Sequence, residues 1–192
     1  MKLADVIIVF FFVLACASAL GSTYTSSDGA FVITASSINV QLNKVIADGK
    51  VHFKVVDKAA GTIAEADSEK IVVVRNAAGG VGLQSIKTAD FSGPVRFCYT
   101  APTSGVGKMV TKAYADNANF VGSEQRLYLK GDVKITHDDP SAFEVPAVAT
   151  GDRAIVNLKK TLGPDEFRFR IESSPGLSRI EATPREKAKS KQ

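Results

Sequence analysis

The residues of this chain that could support nucleophilic, metal or phosphate chemistry are His52, His137, Cys16, Cys98 and two glycine runs. His137 is followed by Asp138-Asp139, a set able to hold a cation weakly, but Pro140 ends the segment as a turn. A second spaced ligand cluster is missing, so ordinary turn chemistry is expected there. His52 lies between Lys50 and Lys54, which repel a cation. Cys98 has the opposite parity from Val95, Phe97 and Tyr99 and lacks a cluster that would lower its pKa, so it is read as a plain strand residue. Gly79-Gly80-Val81-Gly82 and Gly105-Val106-Gly107-Lys108 lack the strand-loop-helix setting of a phosphate site. The sequence shows no Ser/His/Asp elbow, Cys/His pairing or paired carboxylates. The expectation is a protein that is not an enzyme and uses neither metal nor cofactor.

The elements that would have to position any site are strands. Val51-His52-Phe53-Lys54-Val55 alternates apolar and polar, and Leu127 to Ile135 keeps one parity for nine residues. Glu166-Phe167-Arg168-Phe169-Arg170-Ile171-Glu172 alternates with an entirely charged outer face. Such alternation marks half-buried antiparallel strands with one wet face. Ile71-Val72-Val73-Val74 is continuous and β-branched, which suits a strand covered on both sides or at a sheet junction. Turn signals recur at Asp48-Gly49, Asn76 to Gly80, Ser92-Gly93-Pro94, Pro102 to Gly105, Asp138-Asp139-Pro140, Gly163-Pro164-Asp165 and Ser173 to Gly176. The insert from Ala101 to Lys108 is expected to project as a loop. Short strands between frequent turns predict an all-β sandwich, roll or barrel.

A three-fold echo organises these strands. Ala35-Ser36, Ala66-Asp67 and Ala115-Asp116 each open a unit. The units close on Gly49-Lys50-Val51, Gly93-Pro94-Val95 and Gly131-Asp132-Val133. The offsets are 49 − 35 = 14, 93 − 66 = 27 and 131 − 115 = 16, so the middle unit carries an insertion able to reshape or cap a groove. Repeats of this kind stack because one unit alone cannot bury its apolar face.

Residues 1–19 have the layout of an export signal: Lys2, the apolar run Val6 to Leu14, then small residues ending in Ala17 and Ala19. A cleaved signal, a retained N-terminal anchor, and lipidation at Cys16 all remain open. The run is short for a transmembrane helix, which needs about 20 residues. An exported body whose single cysteine is Cys98 forms no intrachain disulfide, so its core must hold itself together. The net charge is +4; from Pro184 onward Arg185, Lys187, Lys189 and Lys191 oppose Glu186, giving +3 of it. Residues 184–192 therefore read as a basic solvated tail, and the near-neutral remainder argues against nucleic acid.

Phe31 to Ile38, Ala113 to Ala118 and Leu127 to Ile135 together resemble the repeating units of the OstA-like (LptA/LptC-type) lipopolysaccharide transport proteins. Ala115-Asp116-Asn117-Ala118 and Gly131-Asp132-Val133-Lys134-Ile135 match the family pattern best. The first unit has Ser36 where the family prefers an acid, and the second has Pro94 beside its glycine. The likeness covers roughly residues 30–136, and extends less closely to 183.

The resemblance implies an all-β, OstA-like elongated β-jellyroll over residues 28–183, open along one side and built from repeated antiparallel strands. It implies a periplasmic protein that holds acyl chains of lipopolysaccharide or another amphipathic lipid. It also implies neighbours joined through edge strands, either other β-jellyroll transport components or copies of this chain. On this reading Val51, Phe53, Val55, Val95, Phe97, Leu127, Leu129, Val133, Ile135, Phe167 and Phe169 face inward and contact lipid. The alternative is a non-enzymatic assembly domain in which the same side chains fill a closed core and the edges associate, because packed cores and lipid troughs use the same residue types.

Overall fold

The computed structural model describes residues 21–103 and 107–185, so the export segment, Cys16 and the tail beyond Arg185 lie outside the described residues. Eleven strands follow one another: β1 (Ser22–Thr25), β2 (Phe31–Ala35), β3 (Ser37–Val40), β4 (Lys44–Asp57), β5 (Thr62–Arg75), β6 (Ile86–Pro102), β7 (Lys108–Val121), β8 (Arg126–Asp138), β9 (Phe143–Asn157), β10 (Phe169–Glu172) and β11 (Arg179–Pro184). They form one antiparallel sheet in the order β1-β2-β4-β5-β6-β7-β8-β9-β10, with β3 beside β4 and β11 beside β9. The sheet is unclosed, and the all-β jellyroll expected from the sequence is what the chain forms. The first strand begins ahead of the expected boundary at residue 28.

Every central strand breaks register near its middle. The shifts fall between Asp48 and Val51, Asp67 and Lys70, Ser92 and Val95, Tyr114 and Asn117, and Lys130 and Val133. These β-bulges line up across the sheet and bend each strand into two arms. One set of arms, with β3 and β10, makes a front wall: 44–48, 70–75, 86–92, 117–121, 126–130 and 153–157. The other set, with β1, β2 and β11, makes a back wall: 51–57, 62–68, 95–102, 108–115, 133–138 and 143–151. Contacts across the fold show that the walls face each other. The Phe53 ring of the back wall meets the Phe91 ring of the front wall at 5.7 Å.

The repeated Gly-x-Val motif is this bend. Gly131 has φ +81°, and a Cβ there would run into the Asp116 carboxylate of the neighbouring strand. Gly49 (φ +77°) occupies the same place against Ser36, where a Cβ would lie 2.9 Å from Oγ. The opening Ala-polar and closing Gly-x-Val halves thus meet at the corner in the first and third units, whereas Gly93 of the middle unit packs against Glu69. The residues after these glycines, Lys50 and Asp132, also take positive φ of 49° and 41°.

Three local expectations are refined. Ala101 and Pro102 belong to β6 and Lys108 to β7, so these three residues of the expected loop are strand. Ile71 and Val73 are buried while Val72 and Val74 are half-buried, so of the two settings expected for this stretch it has the junction one, with a single covered face. It follows the bulge in β5, where buried parity switches from Ala64, Ala66 and Ser68 to Ile71 and Val73. In the third case, strand structure at the Glu166–Glu172 run starts only at Phe169.

If the corner is what shapes the sheet, Gly131→Ala costs about 1–3 kcal/mol, because left-handed strain and a side-chain collision add. Gly29 has φ +66° with nothing within 4 Å of a Cβ. Gly29→Ala therefore carries backbone strain alone, about 1–2 kcal/mol. Paired urea denaturation curves measure the difference, and equal costs would remove the close approach from the account.

Candidate functional site

The space between the walls is the candidate site. Of the residues expected to face inward, Val51, Phe53, Val55, Val95, Phe97, Leu127, Leu129, Val133 and Ile135 are all buried there, at 0–6% exposure. Phe169 is half-buried against the same cluster. Phe167 departs from the expectation. It sits in the loop before β10, outside the core cluster, with the Arg126 guanidinium 5.6 Å from its ring centroid. The alternation around it is broken because Arg168 turns inward to donate to the carbonyls of Asn157 (2.8 Å) and Lys159 (2.7 Å).

Sequence reasoning missed further lining residues. Tyr24, Phe31 and Phe91 join the expected Phe53 in an aromatic file with centroids 6.0, 5.8 and 5.7 Å apart. Phe120, Ile33 and many alanines complete the surface. Alternation marks Phe31 and Ile33, whereas Phe91 and Phe120 belong to front-wall arms whose facing is set by the bulges. The apolar side chains that pack on this core yet stay partly open are Tyr24, Ile38, Phe169, Ile171 and Leu83. Four of them belong to edge strands, so the interior is least covered at the two ends of the roll.

The mouth lies opposite the corner, where the arms end, and two front-wall loops reach across it. The insertion of the middle unit supplies the first. Its 3-10 turn Gly82–Ser85 packs so closely that a Cβ on Gly82 would lie 2.7 Å from Asp57 Cβ on the back wall. The second is 158–168. Leu158 is buried, its N–H donates to the Gln125 carbonyl (2.8 Å), and its carbonyl accepts from the Tyr99 hydroxyl of the back wall (2.8 Å). Burial pushes the Tyr99 phenol above its usual range, which keeps it a donor. Lys159 and Glu166 close the loop on itself at 2.5 Å.

His137 is not in a turn. It sits within β8 at 3% exposure, with Nδ1 2.9 Å from the Thr111 hydroxyl and its ring against Phe143 and Phe169. The nine-residue alternation starting at Leu127 continues through it, so it occupies an inward position that sequence reasoning assigned to the following turn. Burial first, and Arg168 second, hold its pKa below the usual histidine value. Among the described residues no group of three His, Cys, Asp or Glu side chains is placed to hold a metal ion. Cys98 is a free thiol on the outer face, with Glu65 and Lys112 as its strand neighbours.

An unclosed antiparallel sheet, bent along a line of bulges around a core of buried apolar side chains, defines an LptA-like roll, as the short motifs implied. No family model matches the sequence, and no curated protein matches it. Among solved structures the chain is similar to LptH, described as the LptA-homologous periplasmic component of the conserved lipopolysaccharide transport device from Pseudomonas aeruginosa. The likeness has a TM-score of 0.54 at 12% identity and covers 80% of this chain and 93% of that chain. At that identity it establishes the fold.

Two predictions follow from the mouth and the buried histidine. Tyr99→Phe leaves the Leu158 carbonyl without its side-chain donor and costs about 1 kcal/mol, a fall in Tm of about 2–4 °C. Amide exchange should quicken along 158–168 and stay unchanged at the corner. For His137 the folded pKa lies below the unfolded value of about 6.5. The unfolded chain therefore binds the proton first, and stability is full above pH 6.5. It is lost as the pH falls from there toward the native pKa, by up to about 1.4 kcal/mol per pH unit. Urea denaturation between pH 7 and 5 should show this slope, and His137→Gln should flatten it.

Proposed function

We propose that this chain is an exported carrier or bridge module for amphipathic lipids, of the lipopolysaccharide-transport type, working in the periplasm. The observation that carries the reading is the two-walled roll itself: its interior is apolar and its mouth is spanned by loops rather than by strand pairing. Each acyl methylene moved into such a space gains about 0.8 kcal/mol, so a chain of ordinary length is held without covalent chemistry. The inward residues Val51, Phe53, Val55, Val95, Phe97, Leu127, Leu129, Val133, Ile135 and Phe169 would contact the chain, with Phe167 at the mouth. Because these side chains are close-packed in the described state, loading requires the loops at 76–85 and 158–168 to part. The sheet's path ends at β1 and β10, and β3 and β11, paired to β4 and β9, end the other arms of the two walls. They are suited to strand addition by a neighbouring β-jellyroll component or a second copy.

One observation favours a second reading. The interior is already filled by its own side chains, at 7% exposure or less. On that basis the chain would be a dry assembly module acting through its edges.

Mass spectrometry of organic extracts separates the two. Protein purified from the periplasm of a Gram-negative host should carry stoichiometric lipopolysaccharide or phospholipid, and Tyr99→Phe should exchange it faster. Lipid-free protein that also ignores added lipid would leave the edge-assembly reading.

A further inference from the structure

A second concavity lies on the outside of the front wall, on the opposite face from the interior. It is a groove of about 640 Å³ crossing β6, β7, β8, β9 and β10. The pleat places two rows of side chains along it. In one row Lys130 stands directly opposite Arg153, which in turn faces Glu172; in the other Tyr128 faces Ile155, which faces Arg170.

The Lys130–Arg153 pairing is the anomaly. Elsewhere on the outer surface, directly opposed residues are complementary: Lys54 with Glu65 at 2.7 Å, Lys70 with Asp48 at 3.1 Å, His52 with Asp67 at 2.8 Å. Like charges in register oppose strand pairing. Among the described residues, neither Lys130 nor Arg153 has an ion pair or a side-chain hydrogen bond. The acids nearby are otherwise engaged, Glu172 with Arg170 at 3.0 Å and Asp90 with the Asn119 amide at 2.5 Å. The apolar part of the groove is supplied by Tyr128 and Ile155 of the second row, beside the two cations of the first; Asp90, Ser92, Asn117 and Asn119 also line it.

We propose that this groove binds a single phosphate-headed amphiphile, with its anionic group between Lys130 and Arg153 and its apolar part along Tyr128 and Ile155. An anion there replaces a repulsion by two charge-assisted contacts. The concavity selects one molecule over a bilayer, since a flat surface cannot reach the floor. Tyr128 and Ile155 select an amphiphile over free phosphate, which two exposed cations hold only weakly in water.

The test titrates the full chain with decyl phosphate below its micelle concentration, following backbone amide shifts. The expected result is saturable one-to-one binding with shifts at 128–130 and 153–155. Lys130→Gln/Arg153→Gln should weaken it at least about tenfold. Both residues are exposed, so the variant folds, and Lys130→Gln alone should raise the Tm by about 1–2 °C by relieving the repulsion. Undiminished affinity in the double variant would overturn the proposal and place the ligand elsewhere. Equal shifts from inorganic phosphate, or shifts seen only with phosphatidylglycerol vesicles, would overturn it in favour of a free-anion site or a membrane surface. The groove and the interior lie on opposite faces of the wall, so neither result bears on interior loading.

Discussion

The structure depends on the line of β-bulges that forms the corner. Gly131 against the Asp116 side chain, and Gly49 against that of Ser36, let β8 and β4 turn without ending, at positions where a Cβ would collide. One continuous ladder can therefore supply both walls. Each strand keeps its hydrogen-bonded neighbours while its two arms are turned to face one another across an apolar space. Without the bend, the same alternation would make a flat sheet with one greasy face. The repeat in the sequence records this corner.

The bulges also explain which parts of the fold were legible. In β4 and β8 the corner inserts two residues, so buried parity is the same on both arms, and Val51, Phe53, Leu127, Leu129, Val133 and Ile135 are visible as one alternation. In β5 and β7 the parity flips at the bend, from Ser68 to Ile71 and from Ala115 to Ala118. A reader counting by twos loses the face there, which is why Ile71 to Val74 can be read as covered on both sides. The loops across the mouth were least legible. The Tyr99 hydroxyl finds Leu158 59 residues away, and Arg168 is pulled from an apparent strand by carbonyls that only the folded loop presents. His137 shows the opposite failure, since a local turn signal outweighed the alternation that in fact continues through it.

The interior and the mouth set competing demands. Packing between the walls stabilises the roll, and on the proposed carrier reading those contacts would be exchanged for a ligand's. Among the described residues, the loops at 76–85 and 158–168 cross the mouth, the second anchored by the Tyr99–Leu158 hydrogen bond, while the corner opposite is fixed by backbone geometry. Opening at the mouth then leaves the ladder intact. The basic pair on the outer front wall is a separate feature of the same ladder, a place where strand register has been kept despite charge repulsion.

The most direct test is paramagnetic relaxation from a fatty acid carrying a nitroxide near the end of its chain, read on assigned methyl groups of the intact protein. The account predicts strong broadening at Val51, Leu129, Val133 and Ile135, between the walls, with Leu42 and Leu177 on the exposed surface unaffected. Broadening confined to Leu42, Leu177 and other exposed methyls, with the interior signals unchanged, would contradict a lipid-holding roll.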